Sequence, residues 1–260
     1  FDGAHRGDVL AALRYAILNG EGIVKVVGEV GSGKTMLCRM LESDLPDSVD
    51  VVYIANPCIS PDNILNIIAI ELGLTSAPLS KLEVMQKLQQ WLLQQHRKAR
   101  RVVIFIEEAQ GMPLATLEEV RLLSNLETEQ EKLLQIVLFG QPELDDNLQD
   151  YSIRQLRDRI AHHFYLAPLN AKATRIYLNF RMLMAGYSKD DLFTQQQARQ
   201  IVKCSAGLLR RINLLADKVL LACYADNLHR PSSQHIRMAA EDCYFPNSQS
   251  QGQLRWLPTF

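Results

Sequence analysis

This chain of 260 residues is short of several things. Its apolar runs, such as Val102–Ile106, fall far below the roughly 18 residues that a membrane-spanning helix needs. Neither sign of charge dominates: 28 basic residues face 29 acidic ones, a formal net charge of −1. That excludes a strongly basic nucleic-acid protein. With 13 glycines and 10 prolines there is no collagen-like or low-complexity signature. The five cysteines, Cys38, Cys58, Cys204, Cys223 and Cys243, are odd in number and never spaced as CxxC. A zinc ribbon and a dithiol redox motif are thereby excluded, and the cysteines read as free thiols of a reducing compartment. No signal-peptide pattern opens the chain, and a start at Phe1 reads as a fragment or a processed product. What is present is 47% apolar and 22% charged residues, enough for one or two globular domains with a real core.

Charge is distributed unevenly. Residues 1–165 carry 16 basic and 23 acidic side chains, a net of −7, whereas residues 166–240 carry 11 and 4, a net of +7. The structural pattern changes at the same place, which predicts a domain boundary near residue 168. Before it, strand and helix signals alternate. The strands are Ile23–Val27, Val49–Ile54, Val102–Ile106, Leu133–Phe139 and His163–Leu166. Helices are predicted over 8–19, 35–45, 61–72, 81–96 and 113–126. Ser60-Pro61-Asp62 starts one helix, and Ser80 with Glu83 forms a capping box at the start of the next. Such alternation implies an α/β fold with parallel crossovers. After Pro168 only helices are predicted, over 171–185, 194–203, 208–224 and 233–242. The division is therefore 1–168, 169–245 and a Ser/Gln-rich tail at 246–260 that reads as disordered.

Gly28-Glu29-Val30-Gly31-Ser32-Gly33-Lys34-Thr35 matches GxxxxGK[ST] between a predicted strand and a predicted helix. The glycines let the backbone curl so that successive N–H groups face phosphate oxygens, and the helix N-terminus adds partial positive charge. Lys34 reaches the β- and γ-phosphates, and Thr35 offers its hydroxyl to Mg²⁺. The predicted nucleotide contacts run from Gly28 through Met36. The strand Val102–Ile106 ends in Glu107-Glu108. A carboxylate at the first position holds Mg²⁺, usually from Asp, and Glu107 is one methylene longer. Glu108 stands where an acid would polarise the attacking water. Gln141, after the fourth strand, suits a contact to the γ-phosphate and the water. Arg159 is placed to meet a neighbouring subunit's γ-phosphate. Arg210, opening a helix after Gly207, is placed to report the nucleotide's state. His162-His163 has no third ligand at metal-binding spacing.

With these residues in place the chain resembles the AAA+ ATPases, and more narrowly the ExeA-like group of general-secretion and MSHA pilus biogenesis ATPases. The carriers are the lead-in from His5 to Leu10, GEVGSGKT at 28–35, IEEAQ at 106–110 and EEVRLLSNLE at 118–127. FGQPEL at 139–144, the stretch from Arg159 to Leu169, and GLLRRINLLADKVLLA at 207–222 complete the set. Two positions depart from the pattern: Glu107 replaces Asp, and Leu209 stands where the group often has Pro. The resemblance implies a P-loop NTPase sheet of order 5-1-4-3-2 flanked by helices, followed by a small helical lid. It implies Mg²⁺-dependent ATP hydrolysis, nucleotide held between core and lid, and self-association into a ring or filament. It further implies a cytoplasmic protein that reaches the inner membrane through envelope secretion or pilus-assembly partners. Two other readings are a DNA-associated ATPase of transposition-regulator or initiator type, and a scaffold that binds ATP but scarcely hydrolyses it. The basic second part favours the first of these. The absence of a helix-turn-helix signature and the near-zero net charge weigh against it.

Overall fold

The computed structural model describes residues 6–55, 60–128, 131–243 and 245. Cys58, His5 and the expected disordered tail at 246–260 lie outside them. The described residues form two compact units: those within 8–29 and 34–166, and those within 167–245 together with 30–33, Arg6 and Gly7.

The first unit is built on five parallel strands: β1 (Ile23–Val27), β2 (Val49–Ile54), β3 (Arg101–Ile106), β4 (Gln135–Gly140) and β5 (Ile160–Tyr165). Their order is β2-β3-β4-β1-β5, which is the expected 5-1-4-3-2 read from the other edge. The inner strands are buried throughout β1 and β4 and from the second residue of β3, as apolar runs in a two-sided parallel sheet must be. The edge strand β5 alternates half-buried and exposed residues. One face is covered by α1 (Arg6–Asn19) and α2 (Lys34–Asp44), whose Leu13, Ile17, Leu37 and Leu41 pack against Val24, Val26, Phe105 and Phe139. The opposite face takes α3 (Pro61–Glu71), α4 (Lys81–Arg97) and α5 (Leu114–Leu123) through Ile64, Ile68, Leu88 and Leu117. The Ser80–Glu83 capping box forms as expected, whereas Ser60 makes no side-chain cap.

Several boundaries differ from the sequence reading, each for a local reason. β4 starts at Gln135 rather than Leu133 because the Leu133 N–H turns back to Leu126 O at 3.0 Å, beside the antiparallel bridge Glu127–Lys132. α5 stops at Leu123, where the Ser124 hydroxyl donates to the Arg121 carbonyl at 2.7 Å. β5 begins at Ile160, opposite Ile23, ahead of the predicted His163. Two short helices, α6 (Glu143–Asn147) and α7 (Arg154–Arg157), are too brief for helical periodicity to show.

The second unit holds α8 (Ala171–Met184), α9 (Gln195–Ser205), α10 (Leu209–Ala225) and α11 (Ser233–Cys243). Phe193, Ile201, Ile212, Leu215, Val219 and Ile236 form its core. Asn170 caps α8 by accepting from the Ala173 N–H, and Thr194 with Gln197 makes a capping box on α9. Gly207 joins α9 to α10 at φ +73°, and a Cβ there would stand 2.4 Å from the Leu169 carbonyl oxygen. Backbone cannot yield as a side chain can, so Gly207→Ala is expected to lose about 2–3 kcal/mol of unfolding free energy. Gly73→Ala, at φ +68° with nothing within 4 Å, should lose only about 1 kcal/mol. Urea unfolding of both variants checks the ranking, and equal losses would contradict it.

In the first unit, buried Lys25 on β1 is ion-paired to Asp145 on α6. His163, opposite Lys25 in the β1–β5 register, brings Nε2 to 3.9 Å from Asp145. Burial and the Lys25 cation hold the His163 imidazolium below its ordinary titration range, against the pull of Asp145. The native state therefore prefers neutral His163, and the unfolded chain takes up this proton first as pH falls below about 6.5. Stability should decline through that range, and His163→Gln should flatten the decline in urea titrations between pH 8 and 5.5.

Candidate functional site

Parallel pairing brings the C-terminal ends of β3, β4 and β1 side by side, and the loops that follow them meet there. The pairing continues past the strands: the Gly28 N–H donates to Gly140 O at 3.1 Å, and the Glu107 N–H to Ile54 O at 2.9 Å. Lys34, the first residue of α2, is 7% exposed. Its Nζ donates to Gly28 O at 2.7 Å and Glu29 O at 3.2 Å, so the ammonium lies against its own loop's carbonyls. Burial pulls the Lys34 ammonium below its ordinary range, while Glu108, Glu29, Glu107 and Glu143 pull it back up. Val30 and Met36 are exposed at 52% and 62%.

Thr35 Oγ1 donates to Glu107 Oε2 at 2.9 Å. Glu107 is buried, and its second oxygen, Oε1, makes no hydrogen bond. Cys38 and Tyr53 stand near this carboxylate. Burial first, then the Glu107 charge, pushes the Cys38 thiol far up and the Tyr53 phenol up to about 12. A carboxylate with one unsatisfied buried oxygen beside a hydroxyl is a hard-oxygen donor set, and it fits a magnesium ion that takes its remaining ligands from phosphates and water.

Glu108 adopts a left-handed backbone conformation, φ +52°, uncommon for a residue with a side chain. Its Oε2 accepts from Gln110 Nε2 at 2.6 Å and from Gln141 Nε2 at 2.9 Å. Burial acts upward on the Glu108 carboxyl, but the two amide hydrogen bonds and the Lys34 charge outweigh it, and the group titrates below the usual range. Gln110 also accepts the Gln141 N–H at 3.0 Å, and its carbonyl accepts from Asn147 Nδ2 at 3.0 Å.

Thus Lys34, Thr35, Glu107, Glu108 and Gln141 gather at one end of the sheet. Arg159 sits elsewhere in this unit: it is exposed, and its Nη1 donates to Ser124 Oγ at 3.1 Å. Within the helical unit, which includes residues 30–33, the exposed Arg210 donates its N–H to Gly31 O at 3.1 Å. Gly31 has φ +79°, and a Cβ there would fall 2.8 Å from the Arg210 Cβ, so glycine is required twice over. Gly33 has φ +102°, and Ser32 is buried. His162 pairs with Glu21, and no cluster of three metal-ligating side chains occurs among the described residues. The sequence reading did not single out Gln110, Asn147 or Arg6, whose Nη2 donates to Ser32 O at 2.8 Å. Gln110 did carry a signal, as the last residue of the IEEAQ stretch after the acidic strand.

The chain is 37% identical over 235 residues to General secretion pathway protein A of Aeromonas hydrophila, covering 90% of this chain and 43% of that relative. The ORC2 protein of Aeropyrum pernix, solved in ADPNP–ADP complexes, shares the fold with a TM-score of 0.65. It is 14% identical, over 91% of this chain and 67% of that one. CDC6p of Pyrobaculum aerophilum gives a TM-score of 0.69 at 18% identity, over 93% and 68% of the two chains. The Thermotoga maritima RuvB Holliday junction branch migration motor gives 0.57 at 20% identity, over 91% and 68%. No described helix is long and apolar enough to cross a membrane. Residues 17–148 match the AAA domain, and the chain belongs to that family.

Proposed function

We propose that this chain is a Mg²⁺-dependent ATPase whose hydrolysis serves assembly of an envelope machine of the type II secretion or MSHA-type pilus class. The observation that carries the enzymatic reading is the Thr35–Glu107 contact with its unsatisfied buried oxygen, flanked by Lys34 and by the Glu108–Gln141 pair. Support for the machine comes from the relative named for general secretion. The chain spans less than half of that relative's length, so the assembly role is proposed by likeness.

In this reading residues 1–168 are the ATPase core and 169–245 the lid. The loop from Gly28 through Met36 cradles the phosphates with the backbone N–H groups that follow Gly28, and Lys34 neutralises the β- and γ-oxygens. Thr35 and Glu107 would hold magnesium, which when bound supplies Lewis-acid charge to the phosphates. Glu108 accepts the proton of the water that attacks the γ-phosphorus while the bond to the β,γ-bridging oxygen breaks, leaving ADP and phosphate. Gln141 orients that water and the γ-phosphate. Arg159 completes a neighbour's site in a ring or filament, and Arg210 reports nucleotide state from the lid. The protein works in the cytoplasm and meets the inner membrane through its partners.

Lys34→Ala should weaken binding of a fluorescent ATP analogue and abolish turnover. Glu108→Gln should keep that affinity while turnover falls by about 10²–10⁴-fold. Wild-type turnover per subunit should rise with protein concentration, as a site completed in trans requires. Turnover by Glu108→Gln equal to wild type would leave only a nucleotide-binding scaffold. Salt-sensitive stimulation by duplex DNA would move the role to the DNA-associated class.

A further inference from the structure

We propose that Gln110 is a positioning residue for ATP hydrolysis: it holds Glu108 in its working orientation by bridging that carboxylate to the backbone of Gln141. The inference rests on the reading of Glu108 as the acceptor of the water's proton.

The geometry fixes the glutamine amide. A backbone N–H can only donate, so the Gln141 N–H, 3.0 Å away, must face Gln110 Oε1. Nε2 is then turned toward Glu108 Oε2, which it reaches at 2.6 Å. Gln141 Nε2 donates to the same oxygen at 2.9 Å. Both amides grip one oxygen of the carboxylate, and the hydrogen bonds described for Glu108 leave the other oxygen to meet water. Gln110 is itself fixed, because its carbonyl accepts from Asn147 at the end of α6. Its place in the 3₁₀ turn Ala109–Gly111 follows directly from the left-handed Glu108, which turns the chain back on itself after β3.

Only a side chain with one donor and one acceptor at this length closes the bridge. Glutamate has the same shape and can still accept the Gln141 N–H, but its second oxygen would oppose the Glu108 charge. Methionine fills a similar volume and makes neither bond. Effective geometry in proton transfer is steep in distance, so loss of the grip should slow chemistry while leaving nucleotide binding alone.

The experiment compares Gln110→Met, Gln110→Glu, Glu108→Gln and the double variant Glu108→Gln/Gln110→Met in the full chain. Steady-state kcat and KM for ATP, affinity for a fluorescent ADP and thermal melting are measured for each. The expected result is a kcat lowered about tenfold or more in Gln110→Met and further in Gln110→Glu. KM, ADP affinity and melting temperature should stay near wild type. The double variant should turn over within about twofold of Glu108→Gln, because Gln110 acts through Glu108. Wild-type kcat in Gln110→Met, with Glu108→Gln impaired, would overturn the bridge and spare the assignment of Glu108. Parallel loss of ADP affinity and melting temperature, or a double variant far below Glu108→Gln, would make Gln110 a structural residue and equally overturn it. Unimpaired turnover in Glu108→Gln would remove the underlying reading itself.

Discussion

Lys34 carries its ammonium below the surface, and a cation taken out of water has to find oxygen. It finds the carbonyls of Gly28 and Glu29, which requires the chain to curl tightly between the end of β1 and the start of α2. The curl places Thr35 next to Lys34 on the first turn of α2, within 2.9 Å of Glu107. Four glutamates, two of them at the end of β3, surround the ammonium electrostatically. They share its neighbourhood because β3, β4 and β1 are adjacent and parallel, so their ends cannot be far apart. Removing the lysine would leave acidic side chains facing one another.

A second tension lies one residue on. Glu107 and Glu108 are consecutive, yet they serve different partners: one is buried against Thr35, the other is held by two amides. Two neighbouring side chains in extended backbone would point to opposite faces of the sheet. The left-handed turn at Glu108 breaks that alternation and keeps both carboxylates on the loop side of the strand end. Local strain of this kind is tolerated where the surroundings over-determine it, as the Gln110–Gln141–Asn147 hydrogen bonds do here.

Much of this was legible in the residues. Continuous apolar runs marked the buried strands, period-3.6 patterns the long helices, and Ser80 with Glu83 a helix start that formed as read. The strand order came through the likeness to a known family, since period and composition do not order strands. What escaped depends on contacts distant in sequence or on segments too short to have a period. α6 and α7 have five and four residues. The link between Gln110 and Gln141 joins positions 31 apart. The membership of residues 30–33 in the helical unit was also hidden, because the motif reads as one continuous loop. At Glu107, where the motif departs from its usual aspartate, the longer side chain is accommodated near Cys38 and Tyr53 and still reaches Thr35.

The position of β1 in the sheet also bears on how the chain comes into being. β1 is completed early, but its two hydrogen-bonding edges belong to β4 and β5, which begin about 110 and about 130 residues later. During synthesis at roughly 5–20 residues per second, an apolar strand with two open edges waits on the order of 5–27 s for its neighbours. The glycine-rich loop between β1 and α2 has no rigid base until then. The glycine-rich segment that follows β1 thus gains its support only after β4 and β5 have been made.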